Sequence, residues 1–227
     1  MQPLRMSGLS WIGVATLAIA TWFVQAKECA AGETEHRDFS IHVDGKRAGA
    51  YHMTITRADD GSIVMSGHAD VQVSYLVYRY VYNYRGTEVW KDNRLQRLDS
   101  NCNDNGKKFT VNALADSTGL HVKTNSGDAS GPANVWTTTY WKLPEAQLRN
   151  QGLSLLDCDT GRVLNGKLQH LGAVPLNAGG TARNCARYRL TGDIRAELWY
   201  DDEERLVRED TVEDGHRTVI ELVRVRH

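Results

Sequence analysis

The stretch VQVSYLVYRYVYNYRGTEVW, Val71 to Trp90, decides the fold, because Tyr78, Tyr80, Tyr82 and Tyr84 recur in it at every second residue. Period two is the repeat of a β-strand, whose successive side chains point to opposite faces. Val77, Arg79, Val81 and Asn83 occupy the other face, and the arginine and asparagine mark that face for water. The phenols are therefore expected inside, the alternatives being ordinary cross-strand packing or an outer aromatic stripe. A buried hydroxyl with no partner costs about 1–3 kcal/mol, so a row of them suits a partly wetted, aromatic-lined cavity in a curled sheet better than a dry core. Trp90, Trp136 and Trp141 are expected to extend the lining.

Outward from this row the same rhythm continues. Ser62 to Tyr84 carries no strong turn signal, and one straight strand of that length would run to about 75 Å. The run is expected to bend or break at Ser66-Gly67 or around Ser74-Tyr75, as sheets do when they curl. Short alternating runs separated by Asp44-Gly45, Asp59-Asp60-Gly61, Asp92-Asn93 and Asn105-Gly106 read as antiparallel strands. Asn125 to Pro132 and Gly172 to Thr181 read as loops, and Pro144, Glu145 and Gly152 as the start and stop of one short helix. The fold class is mainly β: a curled antiparallel sheet or open β-barrel of about 10–12 strands with one short helix, forming a single domain over residues 38–227.

The N-terminus has a weakly basic start, Met1 to Arg5, an apolar run from Leu9 to Ala26, and then Lys27 and Glu28. This is the layout of a signal peptide, residues 1–31, with small residues allowing cleavage after Ala26 or Ala31. The alternative is an inner-membrane anchor through residues 9–26, a run at the lower limit for spanning a bilayer. Either way the chain is expected to be exported to the periplasm or cell envelope, touching membrane only through this segment or transiently. An oxidising compartment favours one disulfide, and Cys158 with Cys185 is the expected pair, because both belong to the C-terminal run of strands.

With 27 basic and 28 acidic side chains, no overall field favours nucleic acid. No ligand spacing for zinc, no phosphate-binding loop and no dinucleotide motif occurs, so no metal or cofactor is expected. Asn101, Asn103 and Asn105 before Gly106 imitate a calcium loop, but its twelfth position is Asn112 where a bidentate glutamate is needed. His68 and Asp70 share a strand face and are weak candidates for acid-base catalysis. Arg183, Arg187, Arg189 and Arg195 read as a solvent face balanced by Glu197.

The DGKRAGAYHMTITR hairpin, the YRYVYNYRGTEVWKDNRLQRLDS segment, the NDNGK turn and the RYRLTGDIRAELWYDDEERLV stretch together resemble a family of exported bacterial proteins described as domain of unknown function 6134. The resemblance covers most of the chain after Phe39 and implies a periplasmic β-protein. It also implies an architecture similar to the open barrels of lipoprotein carriers, which hold acyl chains. The leading expectation is a non-enzymatic envelope protein holding a lipid or other amphipathic small molecule against Tyr78, Tyr80, Tyr82, Tyr84 and Trp90. The alternatives are an envelope hydrolase or isomerase using His68 and Asp70, and an assembly module that binds another envelope protein through a sheet edge.

Overall fold

A computed structural model describes residues 32–74 and 79–227. Residues 1–31, on which the expected signal peptide or membrane anchor falls, and Tyr78 lie outside the described residues.

The chain forms two meanders. The first comprises β1 (Thr34–Val43), β2 (Lys46–Arg57), β3 (Ile63–Ser74), β4 (Arg79–Lys91), β5 (Arg94–Asp104), β6 (Lys107–Ala115), β7 (Leu120–Thr124) and β8 (Gly127–Gly131). The second comprises β9 (Trp136–Thr137), β10 (Gly152–Leu156), β11 (Val163–Ala178), β12 (Thr181–Gly192), β13 (Ala196–Tyr200), β14 (Leu206–Glu213) and β15 (His216–Arg226). Pairing of β1 with β15 joins them into one sheet of 15 strands in the order β8 to β1, then β15 to β9. All pairs are antiparallel except β9 with β10.

The edge strands of this sheet, β8 and β9, are consecutive in the chain. Laid flat, its edges would stand roughly 67 Å apart, whereas the chain from Gly131 to Trp136 reaches at most about 18 Å. The sheet therefore has to curl. Gly131 of β8 accordingly lies against β11, where a Cβ on it would come 3.1 Å from a methyl of Val163. The concave side carries one apolar core that runs through both meanders, from Phe39 and Met53 to Leu198 and Leu222.

Turn chemistry sets the hairpins. Asp44-Gly45, Asp92-Asn93, Asn105-Gly106, Gly179-Gly180 and Asp214-Gly215 all have positive φ at both residues, the conformation of two-residue hairpin turns. The Ser62 to Tyr84 run does break near Ser74, but as a strand reversal: β3 and β4 pair antiparallel from Ile63↔Trp90 to Ser74↔Arg79. Gly67 stays inside β3.

Several expectations need correction. The strands number 15 rather than 10–12: the Ser62 to Tyr84 run enters two strands, Gly127–Gly131 forms edge strand β8 and Trp136–Thr137 forms β9. The second predicted loop also pairs, because β11 continues to Ala178. The expected helix shrinks to a single 3-10 turn, Ala146–Leu148, with Gly152 opening β10. Among the described residues no helix is long and apolar enough to cross a membrane. Cys158 and Cys185 form no disulfide, and Cys102 is also a free, buried thiol. The reason lies in placement. Cys158 sits on the turn after β10 with its Sγ 3.8 Å from Glu88 Oε1, while Cys185 lies within β12 opposite Val174.

Candidate functional site

Register determines which side chains of β4 face inward. Tyr80, Tyr82, Tyr84, Gly86, Glu88 and Trp90 lie opposite the inward residues of β3, Val73, Val71, Ala69, Gly67, Met65 and Ile63. Tyr80 donates to Asp104 at 2.8 Å, and Tyr82 donates to both oxygens of Asp159 at 3.0 and 3.1 Å. Gly67 and Gly86 are direct cross-strand partners, and each has a phenol laid over it. A Cβ on Gly86 would stand 2.1 Å from the Tyr84 hydroxyl, and one on Gly67 2.6 Å from the Tyr51 hydroxyl. The missing side chains make the space into which the two tyrosines fold. Their rings meet edge to face at 6.5 Å, and both hydroxyls are buried without a hydrogen-bond partner among the described residues.

The segment after β8 runs through the concave side and is held from several strands. Glu88, fully buried, accepts from Trp90 Nε1 (2.7 Å), Thr139 (2.6 Å), Thr137 (3.1 Å) and Trp141 Nε1 (3.1 Å). Burial raises its pKa, and these four donors oppose the rise. Arg37, buried on β1, donates to the Trp141 carbonyl at 2.6 Å, and Tyr200 donates to the Tyr140 carbonyl at 2.9 Å. Between these anchors Tyr140 adopts φ 49°, a left-handed backbone that is strained for a bulky residue. Its hydroxyl is the third buried phenol without a partner.

Acids complete the interior. Asp159 hangs from the turn after β10, whose Cys158 carbonyl accepts from Ser100 at 2.5 Å. Glu209 lies on β14 opposite Leu198 and Ile220, two residues of the core side, and no hydrogen bond or ion pair to it is found among the described residues. Both acids are half-buried. Enclosure, then the charge of Asp157, pushes the Asp159 carboxyl up to about 7 against the Tyr82 hydrogen bond. Enclosure, then the charge of Asp159, pushes Glu209 up to about 8. Burial raises Tyr51, Tyr84 and Tyr140 well above the usual phenol range, and Asp159 adds to all three. Glu209 adds to Tyr51 and Tyr140. Three unpartnered phenols and two protonatable carboxyls thus share one enclosed, largely apolar interior.

The structure separates the residues singled out from the sequence. Tyr80, Tyr82 and Tyr84 face inward with Trp90. Trp90 and Trp141 bind Glu88 rather than lining the same space, and Trp136 packs on Tyr140 at 5.1 Å. Trp90 and Trp136 also edge a surface cleft of about 540 Å³ with Lys142 and Arg149. His68 and Asp70 share the outer face. His68 stacks on His52 at 4.8 Å, and Asp70 accepts from Asn83 at 2.7 Å and lies 3.9 Å from Arg85. Arg187 and Arg189 pair with Glu197 as expected of a solvent face. Sequence reading missed Tyr51, Tyr140, Asp159 and Glu209 as site residues. Only Tyr51 left a signal, its alternation with Met53 and Ile55.

The model of a family described as Domain of unknown function (DUF6134) matches residues 39–223. Among solved structures the chain is similar to the beta-barrel-like protein of domain of unknown function DUF1849 from Brucella abortus, with a TM-score of 0.62 and 10% identity over 85% of this chain and 96% of that one. At that identity the likeness is one of fold. No curated protein matches the chain.

Proposed function

The chain belongs to the DUF6134 family, and on that premise we propose that it is an exported cell-envelope protein that holds an apolar or amphipathic ligand on the concave side of its curled sheet. Export rests on the basic start, apolar run and small-residue cleavage points of residues 1–31. The observation that carries the binding reading is the trio of buried hydroxyls on Tyr51, Tyr84 and Tyr140 without partners. Each costs on the order of 1–3 kcal/mol when unsatisfied, and Tyr140 is held in a strained backbone as well. Apolar walls with a few convergent polar groups are the usual make-up of a small-molecule site. Val71, Phe39 and Leu198 supply such walls, and Tyr82, Asp159 and Glu209 supply polar groups.

The test is mass spectrometry of organic extracts from protein purified gently from intact envelopes, together with uptake of a fluorescent apolar probe by the stripped protein. A reproducible co-purified molecule and probe binding are expected. An empty protein that takes up no probe would overturn the reading.

A further inference from the structure

The charges that face the interior are unequal in sign. Asp104 on β5, Asp157 and Asp159 on the turn after β10, and Glu209 on β14 act on one another or on the phenols there, and Glu213 adds to them from the exposed end of β14. The buried cations are committed elsewhere. Arg37 is bound to Glu35 and the Trp141 carbonyl, and Arg205 to Asp201. Lys142 lies over the rings of Trp90 and Trp141. Glu88 is saturated by its four donors, and Asp159 already accepts from Tyr82. Glu209 has no such partner among the described residues.

The charge of Glu209 acts on Tyr51 and Tyr140, which share the apolar core with Tyr84, whose ring meets that of Tyr51 at 6.5 Å. The three are 7%, 1% and 4% exposed, each with an unpartnered hydroxyl oxygen able to accept. The surroundings thus offer one free carboxyl, several acceptors, aromatic faces and apolar walls. A protonated primary amine on an alkyl chain matches this set. Its N–H groups donate to a carboxylate and to phenol oxygens, ring faces attract its charge, and its chain covers the apolar wall.

We propose that the interior takes an amine-headed amphiphile, whose ammonium group pairs with Glu209 on the side of the core that carries Tyr51 and Tyr140. This rests on the binding reading above and names its ligand class. The ammonium keeps its proton, and the carboxyl of Glu209 gives its own proton to solvent as the pair forms. Asp159, next in reach of the same charge, shifts toward its ionised form. Binding therefore releases protons, and affinity rises from about pH 6 to about pH 8, where an alkylamine is still charged.

Calorimetric titration of the leader-free chain with decylamine, decanoate and decanol, in two buffers of different ionisation enthalpy, tests this. Decylamine is expected to bind at least about tenfold more tightly than the other two, with net proton release. Glu209→Gln should remove that advantage, so that decylamine binds no more tightly than decanol, and a cooperative thermal melt shows that the variant folds. If Glu209→Gln does not fold, Asp159→Asn is expected to lower proton release by a part. Equal affinity for decanol, or tighter binding of decanoate, would overturn the amine assignment and leave the binding reading standing. Binding of none of the three would defeat the binding reading as well.

Discussion

The Tyr82 hydroxyl donates to both carboxyl oxygens of Asp159, at 3.0 and 3.1 Å, and so ties the tyrosine strand to a turn 77 residues further along the chain. This link places a titratable acid, raised by its burial and by Asp157, against the phenol row.

Stability should fall as pH rises from about 4 to about 8. The folded pKa of Asp159 is raised to about 7 and that of Glu209 to about 8, above the ordinary carboxyl range near 4. In that window the folded state keeps protons that the unfolded state has lost, so raising pH favours unfolding. Asp38, Asp60 and Asp116, held down to about 2, act only in more acidic solution. Thermal melts should give a higher Tm at pH 5 than at pH 8, and Glu209→Gln should flatten the difference. A Tm that climbs steadily toward pH 8 would contradict the enclosure of these two acids, neither of which has a cationic partner among the described residues.

Glu88 should prove the main polar anchor of the segment that crosses the concave side. Glu88→Ala strands two indole N–H groups and two hydroxyls, and a loss of about 3–5 kcal/mol is expected, as for breaking other buried charged networks. Glu88→Gln keeps the shape but turns an amide donor toward donors, for a loss of about 1–3 kcal/mol. Urea denaturation of both variants measures the order of the two effects.

The glycine pair under the tyrosines is open to a double-mutant cycle. Gly86→Ala drives a Cβ into the Tyr84 hydroxyl, and a cost of about 1–3 kcal/mol is expected from the displaced ring. In a Tyr84→Ala background the same change should cost clearly less, giving a coupling above about 0.5 kcal/mol. Additive effects would mean that the ring does not depend on the glycine.

The three thiols among the described residues should be free. Mass analysis after alkylation in denaturant, without reductant, should count adducts on Cys102, Cys158 and Cys185. The native protein should react slowly, because the three are buried and burial raises their pKa values. A Cys158–Cys185 crosslink in the mapped peptides would contradict the observed placement.

Much of the architecture can be read from local sequence. Asp44-Gly45 and Asn105-Gly106 are turns because their residues tolerate positive φ, and Arg79 and Asn83 orient the tyrosine strand. Local signals fail where pairing is decided at a distance. Gly127–Gly131 has the composition of a loop and becomes a strand because β7 offers a partner edge. Nothing in LVREDTVE shows that Glu209 faces inward, since its apolar residues do not alternate and its side follows from registers with β13 and β15. Asp159 reaches the site through a turn after β10 whose position depends on Ser100 and Glu88, far earlier in the chain.

The central claim is that the space among Tyr51, Tyr84 and Tyr140 holds a ligand. Fluorine NMR of the fluorotyrosine-labelled chain, with resonances assigned by single Tyr→Phe substitutions, observes that space directly. On titration with decylamine the resonances of these three tyrosines should shift together and saturate with the calorimetric affinity. Saturable binding that leaves all three unmoved, or no response to any amphiphile, would contradict the claim.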